Sequence, residues 1–290
     1  MTTPVLAGAD AGNDTPVAPR RRLIRRHSLV VRLTHWLNVT CLSFLLLSGL
    51  QIFNAHPRLY WGQYGADADH AFFEIGNRAD GDTLHGFLRA GPLRIDTTGV
   101  LGVSNEDGSP TARAFPTWIT IPSYHDLGAG RRWHFFFAWL LFFNGLIYLG
   151  HGILRGHFRR DLLPDRDQLS PRHLWREIVD HARLRFAHGE EARRYNALQK
   201  LSYMAVAFVL LPLMVLTGLT MSPGVDAAFP FLPGLFGGRP SARSIHFVTA
   251  SLLVAFVVVH VAMVILSGLW NNLRSMITGR YAISDEDTSP

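Results

Sequence analysis

Five of the fourteen histidines in this chain lie in long apolar stretches, where metal-binding side chains are rare. These five are His35, His134, His151, His246 and His260. An imidazole in hydrocarbon costs free energy unless it is hydrogen bonded or bound to a metal, so each is a candidate functional residue. A hydrogen bond between helices would explain one such histidine. Five in one chain favour cofactor binding.

His246 and His260 are fourteen residues apart in the last apolar stretch. On a helix this spacing is about 21 Å along the axis and about 40° around it. One helix therefore presents two imidazoles on nearly the same face, one near each side of a membrane. Two cofactors could each use one of them. Haem is the cofactor that takes a histidine from each of two facing helices in an apolar bundle.

The partner histidines must come from other helices at matching depth. His35, near the start of the first apolar stretch, matches His260, and His134, near the start of the second, matches His246. Helix tilt and uncertain helix ends can absorb the remaining difference in depth. His151, near the other end of the second stretch, could replace His35 or His134 as a ligand, or hydrogen-bond a haem propionate.

Two further groups of residues suit a haem site, and each also has an ordinary explanation. Three arginines close to His134 and His246 could pair with propionates or simply anchor the helices at the interface: Arg131, Arg132 and Arg243. Three glycines could allow a flat macrocycle close to the backbone, or tight helix packing: Gly49, Gly145 and Gly218.

Four apolar runs are long enough to cross the roughly 30 Å hydrocarbon core of a membrane. We place them near residues 29–53, 133–154, 201–221 and 245–270. They carry almost no charge, which argues against buried helices of a large soluble core. The expected fold is all-α: an integral membrane four-helix bundle with a long periplasmic connection at residues 54–132 and a cytoplasmic surface helix near Pro171–Phe186.

The net charge of +6 is distributed as in a membrane protein. Arginines crowd the start of the first run and the connection between the second and third runs, which predicts cytoplasmic termini by the positive-inside rule. Residues 1–26 and 282–290 are expected to be tails, the former disordered. No cleavable signal peptide is visible. Cys41 is the one cysteine, expected to be a packing residue, so neither a disulfide nor covalent haem attachment is predicted.

The chain resembles the bacterial di-haem b-type cytochromes over roughly residues 27–281. The motifs are HSLVVRLTHW, RRWHFFFAW, YNALQKLSY and the histidine pair fourteen residues apart. The resemblance implies two non-covalent haems b, held by His35 with His260 and by His134 with His246, in the bacterial inner membrane. The segment FPTWITIPSYHDLGAGRRWHF is similar to a subgroup with molybdopterin-dependent partners.

A quinone site is expected where the third run begins. Asn196, Gln199 and Lys200 offer polar groups at the cytoplasmic boundary, and Asn196 falls where the related cytochromes place a quinone-contacting asparagine. A helix cap and anchor is the structural alternative. Lys200 is expected near water, where it could help to move protons.

The sequence and its resemblance together predict an electron-transfer subunit, rather than a stand-alone enzyme, between the quinone pool and a periplasmic redox partner. The resemblance to the subgroup above suggests a molybdopterin-dependent oxidoreductase as that partner. The connection at residues 54–132 would dock this partner, cap the outer haem, or do both. Two alternatives belong to other classes: a membrane anchor without redox function, and a metal-ion transporter using intramembrane histidines.

Overall fold

The structure, a computed structural model, describes residues 21–156, 158, 162–183 and 196–284. The helices are α1 (Leu29–Phe53), α2 (Leu127–Leu154), α3 (Pro171–Ala182), α4 (Ala197–Ala205), α5 (Leu211–Thr220), α6 (Pro223–Ala228), α7 (Leu232–Leu235), α8 (Arg239–Leu266) and α9 (Leu269–Thr278). The strands are β1 (Arg21–Arg25), β2 (Arg58–Tyr60), β3 (Ala71–Asp80), β4 (Thr83–Ala90), β5 (Leu93–Asp96), β6 (Gly102–Glu106), β7 (Ser109–Arg113) and β8 (Arg280–Ser284).

In the part of the chain that the structure describes, four helical segments are long and apolar enough to cross a membrane, as the sequence predicted: α1, α2, the continuous segment Ala197–Thr220, and α8. The second and fourth begin about two turns earlier than predicted. The third consists of α4 and α5 joined by a π-helical stretch, Val206–Leu210. Pro212 follows this stretch and has no N–H to donate to the preceding turn, which accounts for the altered hydrogen bonding.

The expectation of an all-α fold is wrong for the connection between α1 and α2. Strands β2, β3, β4 and β5 form an antiparallel sheet in that order, and β6 pairs with β7 in a separate hairpin. Gly86 and Gly102 allow the hairpin backbone to lie directly against the sheet, since a Cβ on either would meet backbone atoms. We call residues 54–126 the β insertion, and the end of the bundle that carries it the β side.

The chain ends are also more structured than predicted. Residues 21–25, placed in the first tail, form β1, which pairs with β8 along its length. The guanidinium of Arg26 lies over the ring of Tyr281, 4.6 Å from its centroid. The remainder of both predicted tails lies outside the described residues. We call this end of the bundle the termini side. The surface helix is present as α3, and residues 184–186 of its predicted range lie outside the described residues.

The β insertion is packed onto α8 rather than hanging free. Its core joins Phe53, Leu59 and Ile75, and the ring of Phe247, one residue after His246, packs against it. The centroid of Phe247 lies 4.7 Å from that of Phe53. The hydroxyl of Ser244 donates to the carbonyl of Tyr60 at 2.6 Å. The fold therefore couples the insertion directly to the helix that carries two candidate ligands.

Candidate functional site: two histidine pairs

The histidines predicted as partners lie side by side on the termini side. His35 on α1 and His260 on α8 have ring centroids 6.4 Å apart, with an interplanar angle of 64°. His35 is six residues from the start of α1, and His260 is six residues from the end of α8. Their depths therefore agree better than the sequence suggested, because α8 ends at Leu266 rather than near residue 270.

The second predicted pair lies on the β side. His134 on α2 and His246 on α8 have ring centroids 6.3 Å apart, with an interplanar angle of 58°. Each lies seven residues from the start of its helix. Because α8 is one uninterrupted helix, the two pairs are stacked along it about 21 Å apart.

Both separations fit two imidazoles that share one metal centre. With metal–nitrogen bonds of about 2.0–2.1 Å and a ring centroid roughly 1.1 Å behind each nitrogen, such rings are about 6.3 Å apart. The donors are two neutral nitrogen ligands in an apolar bundle, which is the set that haem b takes. Within the described part of the chain, no group of three or more metal-binding side chains occurs. The residues therefore fit haem better than a bare ion with a protein cage.

Sequence reasoning missed two hydroxyl groups that hold the β-side pair. The Oγ of Ser48 on α1 lies 3.1 Å from Nδ1 of His134. The Oγ1 of Thr217 on α5 lies 2.9 Å from Nδ1 of His246. Both hydroxyl residues are fully buried. Each is followed by a glycine, and this repeated small-polar–glycine pair within an apolar run is the signal that could have found them.

The two glycines lie against the same rings. A Cβ added to Gly49 would lie 3.5 Å from Cε1 of His134, and one added to Gly218 would lie 3.5 Å from Cε1 of His246. Among the described residues, nothing lies within 4 Å of a Cβ added to Gly145. Gly49 and Gly218 thus lie next to the imidazoles, at a distance where even a Cβ would make only an ordinary van der Waals contact, and Gly145 does not lie next to either ring.

His151 lies on α2 near the termini side and, among the described residues, belongs to neither pair. The three arginines lie on the β side. The guanidinium of Arg131 is 5.8 Å from the ring centroid of Phe135, and Arg132 is exposed. Arg243 donates to the carbonyl of His56 and so joins α8 to the β insertion. Burial, with the charges of Arg243 and Arg58, lowers the pKa of the His56 imidazole.

The predicted quinone residues begin α4. Asn196 is the N-cap, and its side-chain oxygen accepts from the backbone N–H of Gln199 at 2.8 Å. Glu177 of α3 accepts from the N–H groups of Ala197 and Leu198, at 3.2 and 3.0 Å. Three amides at the start of α4 are therefore satisfied by side chains, which is the cap arrangement that the sequence left open.

Lys200 is buried, contrary to the expectation that it lies near water. It is 7% exposed, and its ammonium donates to the carbonyl of Leu163 at 3.3 Å and to Oε1 of Gln168 at 3.1 Å. The loop before α3 folds over it, which its sequence position did not indicate. Further along the same segment, the ring of Tyr203 lies 6.4 Å from that of His260. The start of α4 thus leads towards the termini-side pair.

Charged groups stiffen the β insertion and its junction with the bundle. Glu74 is 8% exposed and pairs with Arg58 at 2.7 Å and Arg89 at 2.8 Å. Burial alone would raise the pKa of Glu74, but the hydrogen bonds from Arg89 and Arg58 outweigh it and lower the pKa. Arg113, also buried, donates to Gln51 of α1 and to the hydroxyl of Thr120.

Known proteins resemble this chain over most of its length. The family model for prokaryotic cytochrome b561 matches residues 26–279. A protein of Azospira oryzae, described as the putative protein-methionine-sulfoxide reductase subunit YedZ1, is 32% identical over 254 residues, which are 87% of this chain and 96% of that protein. No solved structure matches the chain.

Proposed function

Since the chain belongs to the prokaryotic cytochrome b561 family of membrane haem proteins, we propose that it is a membrane electron-transfer subunit with two haems b. The termini-side haem is held by His35 and His260, and the β-side haem by His134 and His246. One observation carries this proposal. A single helix contributes one histidine to each of two pairs, and in both pairs the ring centroids are as far apart as expected for two imidazoles that bind one iron.

The bound haems supply one-electron chemistry. The bundle supplies their positions. Helix α8 keeps the two pairs about 21 Å apart along its axis, and α1 and α2 each bring one facing imidazole. The apolar surroundings exclude water, and they favour neutral ligands over protonated ones. Propionate groups on the β side would find Arg131, Arg132 and Arg243 at the ends of α2 and α8.

Quinone exchange is proposed at the termini side, next to His35 and His260. Asn196 and Gln199 lie at the start of α4, and Tyr203 of the same helix contacts the ring of His260. The buried ammonium of Lys200 is held by Gln168, so we assign it to positioning this region rather than to direct proton exchange with water. Asn196 caps α4 through its side-chain oxygen, and the quinone contact is proposed for the NH2 group of the same side chain.

The β insertion is proposed to face the periplasm and to dock the redox partner. It is packed on Phe247 and linked to Arg243, so a partner bound there would lie close to the His134–His246 pair. Trp118 and Tyr124 of the insertion are 81% and 64% exposed. Because the related Azospira protein is described as a reductase subunit, we propose a reductase as the partner, in keeping with the molybdopterin-dependent class suggested by the sequence motif.

The full-length purified protein should be tested first for its haem content. A pyridine haemochrome assay should give two haems b per chain, with the low-spin spectrum of bis-histidine iron. A preparation with the correct fold and no visible absorption would favour a membrane anchor without redox function. A single haem per chain would leave one of the two pairs without its proposed role.

A further inference from the structure

The two buried hydroxyl groups beside the β-side pair each have one proton to donate, and their contact distances favour a backbone carbonyl as the acceptor. The hydroxyl of Ser48 donates to the carbonyl of Phe44 at 2.6 Å. The hydroxyl of Thr217 donates to the carbonyl of Leu213, also at 2.6 Å. These are the shorter contacts of each oxygen, and they follow the usual back-bonding of serine and threonine in membrane helices.

With that proton committed to a carbonyl, each hydroxyl faces its imidazole with a lone pair. A hydroxyl has one donor and two acceptor positions, so the ring must supply the hydrogen. The Nδ1 atoms of His134 and His246 therefore carry the proton. In neutral imidazole only one nitrogen is protonated, so Nε2 is left as the lone-pair donor on both rings.

We propose that Ser48 and Thr217 are positioning residues that hold His134 and His246 in the tautomer and orientation needed for both to bind one iron through Nε2. The inference rests on the proposed function for the ligation itself. It adds two residues, on α1 and α5, that touch neither iron nor substrate. All four spans thereby contribute to the β-side site: α2 and α8 provide ligands, and α1 and α5 orient them.

Burial makes these contacts hard to replace. Ser48 and Thr217 are each 0% exposed, so water has little access to an Nδ1–H that loses its hydroxyl acceptor. Such an N–H keeps only a backbone carbonyl, that of Leu45 for His134 and that of Met214 for His246, and a buried donor that loses its better acceptor is costly. A hydrogen bond at Nδ1 also raises the basicity of the ligating nitrogen, and loss of such outer contacts typically weakens metal binding about 10- to 100-fold.

The termini-side pair provides an internal comparison. Within the described residues, no hydrogen bond reaches the ring of His35 or His260, whose neighbours include the aromatic rings of Trp36, Phe256 and Tyr203. The effect of the hydroxyls should therefore be confined to one of the two haems. A variant that disturbed the whole bundle would change both.

The test is a redox titration of the purified two-haem protein carrying Thr217→Val, with Thr217→Ser as the matched control. Valine has nearly the shape of threonine without its hydroxyl. A less basic ligand stabilises ferric iron less, so the midpoint of one haem should rise. The expected change is about tenfold in its reduction equilibrium, which is 59 mV for a one-electron couple. Thr217→Ser keeps the hydroxyl and should stay within a third of that shift.

Ser48→Ala acts on the same haem through the other ligand and should move the same redox step in the same direction. If Thr217→Val does not accumulate, Ser48→Ala alone tests the inference. Unchanged potentials and an unchanged ferric low-spin EPR spectrum in the hydroxyl-free variants would overturn the inference, while leaving ligation by His134 and His246 intact. Failure of the ligation itself would appear separately, as normal haem content after replacement of His246.

Discussion

The ring centroid of His134 on α2 lies 6.3 Å from that of His246 on α8, although α2 begins 112 residues before α8 in the chain. The corresponding rings of His35 and His260 are 6.4 Å apart at the other end of the bundle. Neither pair is close in sequence, and one helix is common to both. Helix α8 therefore sets the distance between the two pairs, and α1 and α2 each place one ring next to it at a matching depth.

Replacement of Asn196 should separate its cap from its proposed contact with quinone. Asn196→Leu removes both, whereas Asn196→Ser retains a good N-cap and loses the amide. If the amide contacts quinone, both variants should slow quinol-driven haem reduction about tenfold, the effect of roughly 1.4 kcal/mol. Stopped-flow reduction measures this, with dithionite-reduced spectra as the check on haem content. Normal kinetics in Asn196→Ser would assign the residue to the cap alone.

The junction between the β insertion and α1 should depend on Arg113. One nitrogen of its guanidinium donates to the side chains of Gln51 and Thr120, and the other donates to the carbonyl of Ser123 at 2.8 Å. Arg113→Met leaves buried acceptors without donors, at roughly 2–3 kcal/mol. Limited proteolysis in detergent should cleave the insertion roughly 30- to 160-fold faster. Arg78→Met, at an exposed position of β3, is the control and should be cleaved at the wild-type rate.

The stability of the β insertion should depend on pH through Glu74. Because its pKa is lowered in the folded protein from the ordinary 4.5, its contribution is present above that value and is lost as the pH falls through the folded pKa. Glu74→Gln should therefore weaken the insertion at pH 7 by roughly 1–3 kcal/mol. The difference from wild type should shrink in acid. The same proteolysis assay, repeated across pH with Asp82→Asn as an exposed control, measures it; a difference independent of pH would contradict the ion-pair account.

The proposed orientation can be tested with single cysteines. Cys41 is 0% exposed, so the natural protein should react little with a membrane-impermeant maleimide. Asp82→Cys, at the exposed turn between β3 and β4, should be labelled in cells whose outer membrane alone is permeable. Arg172→Cys on α3 should be labelled only after the inner membrane is opened. The reverse pattern would place the β insertion in the cytoplasm.

Much of the ligand arrangement could be predicted because it depends on helix geometry. Fourteen residues on a helix fix an axial distance and a rotation, and the mismatch that remained came only from misplacing the end of α8. Ser48 and Thr217 could not be singled out in this way. Hydroxyl residues are common in membrane helices, and the sequence does not say which of them faces an imidazole on another helix.

The connection that forms the β insertion is long and contains short strand-like stretches such as PLRIDTTGVLGV, but the sequence did not predict that they form a sheet. In its two longest strands, Gly76 and Gly86 interrupt the alternation of polar and apolar residues that marks a strand. A Cβ on Gly86 would meet the backbone of Leu101 and Val103, where the second hairpin packs over β4, and a Cβ on Gly76 would meet the ring of Phe87 on β4. No local pattern reveals either contact. The burial of Lys200 was missed for a similar reason, since Gln168 reaches it from a different part of the chain.

Haem content after replacement of single ligands tests the central claim most directly. His246→Ala and His260→Ala should each retain one haem per chain by pyridine haemochrome assay, and the double variant should retain none. The lost haem should differ between the two variants, as shown by redox titration of the one that remains. His151→Ala, the control, should keep both. Two haems in both single variants, or loss of a haem in His151→Ala, would contradict the pairing of His35 with His260 and His134 with His246.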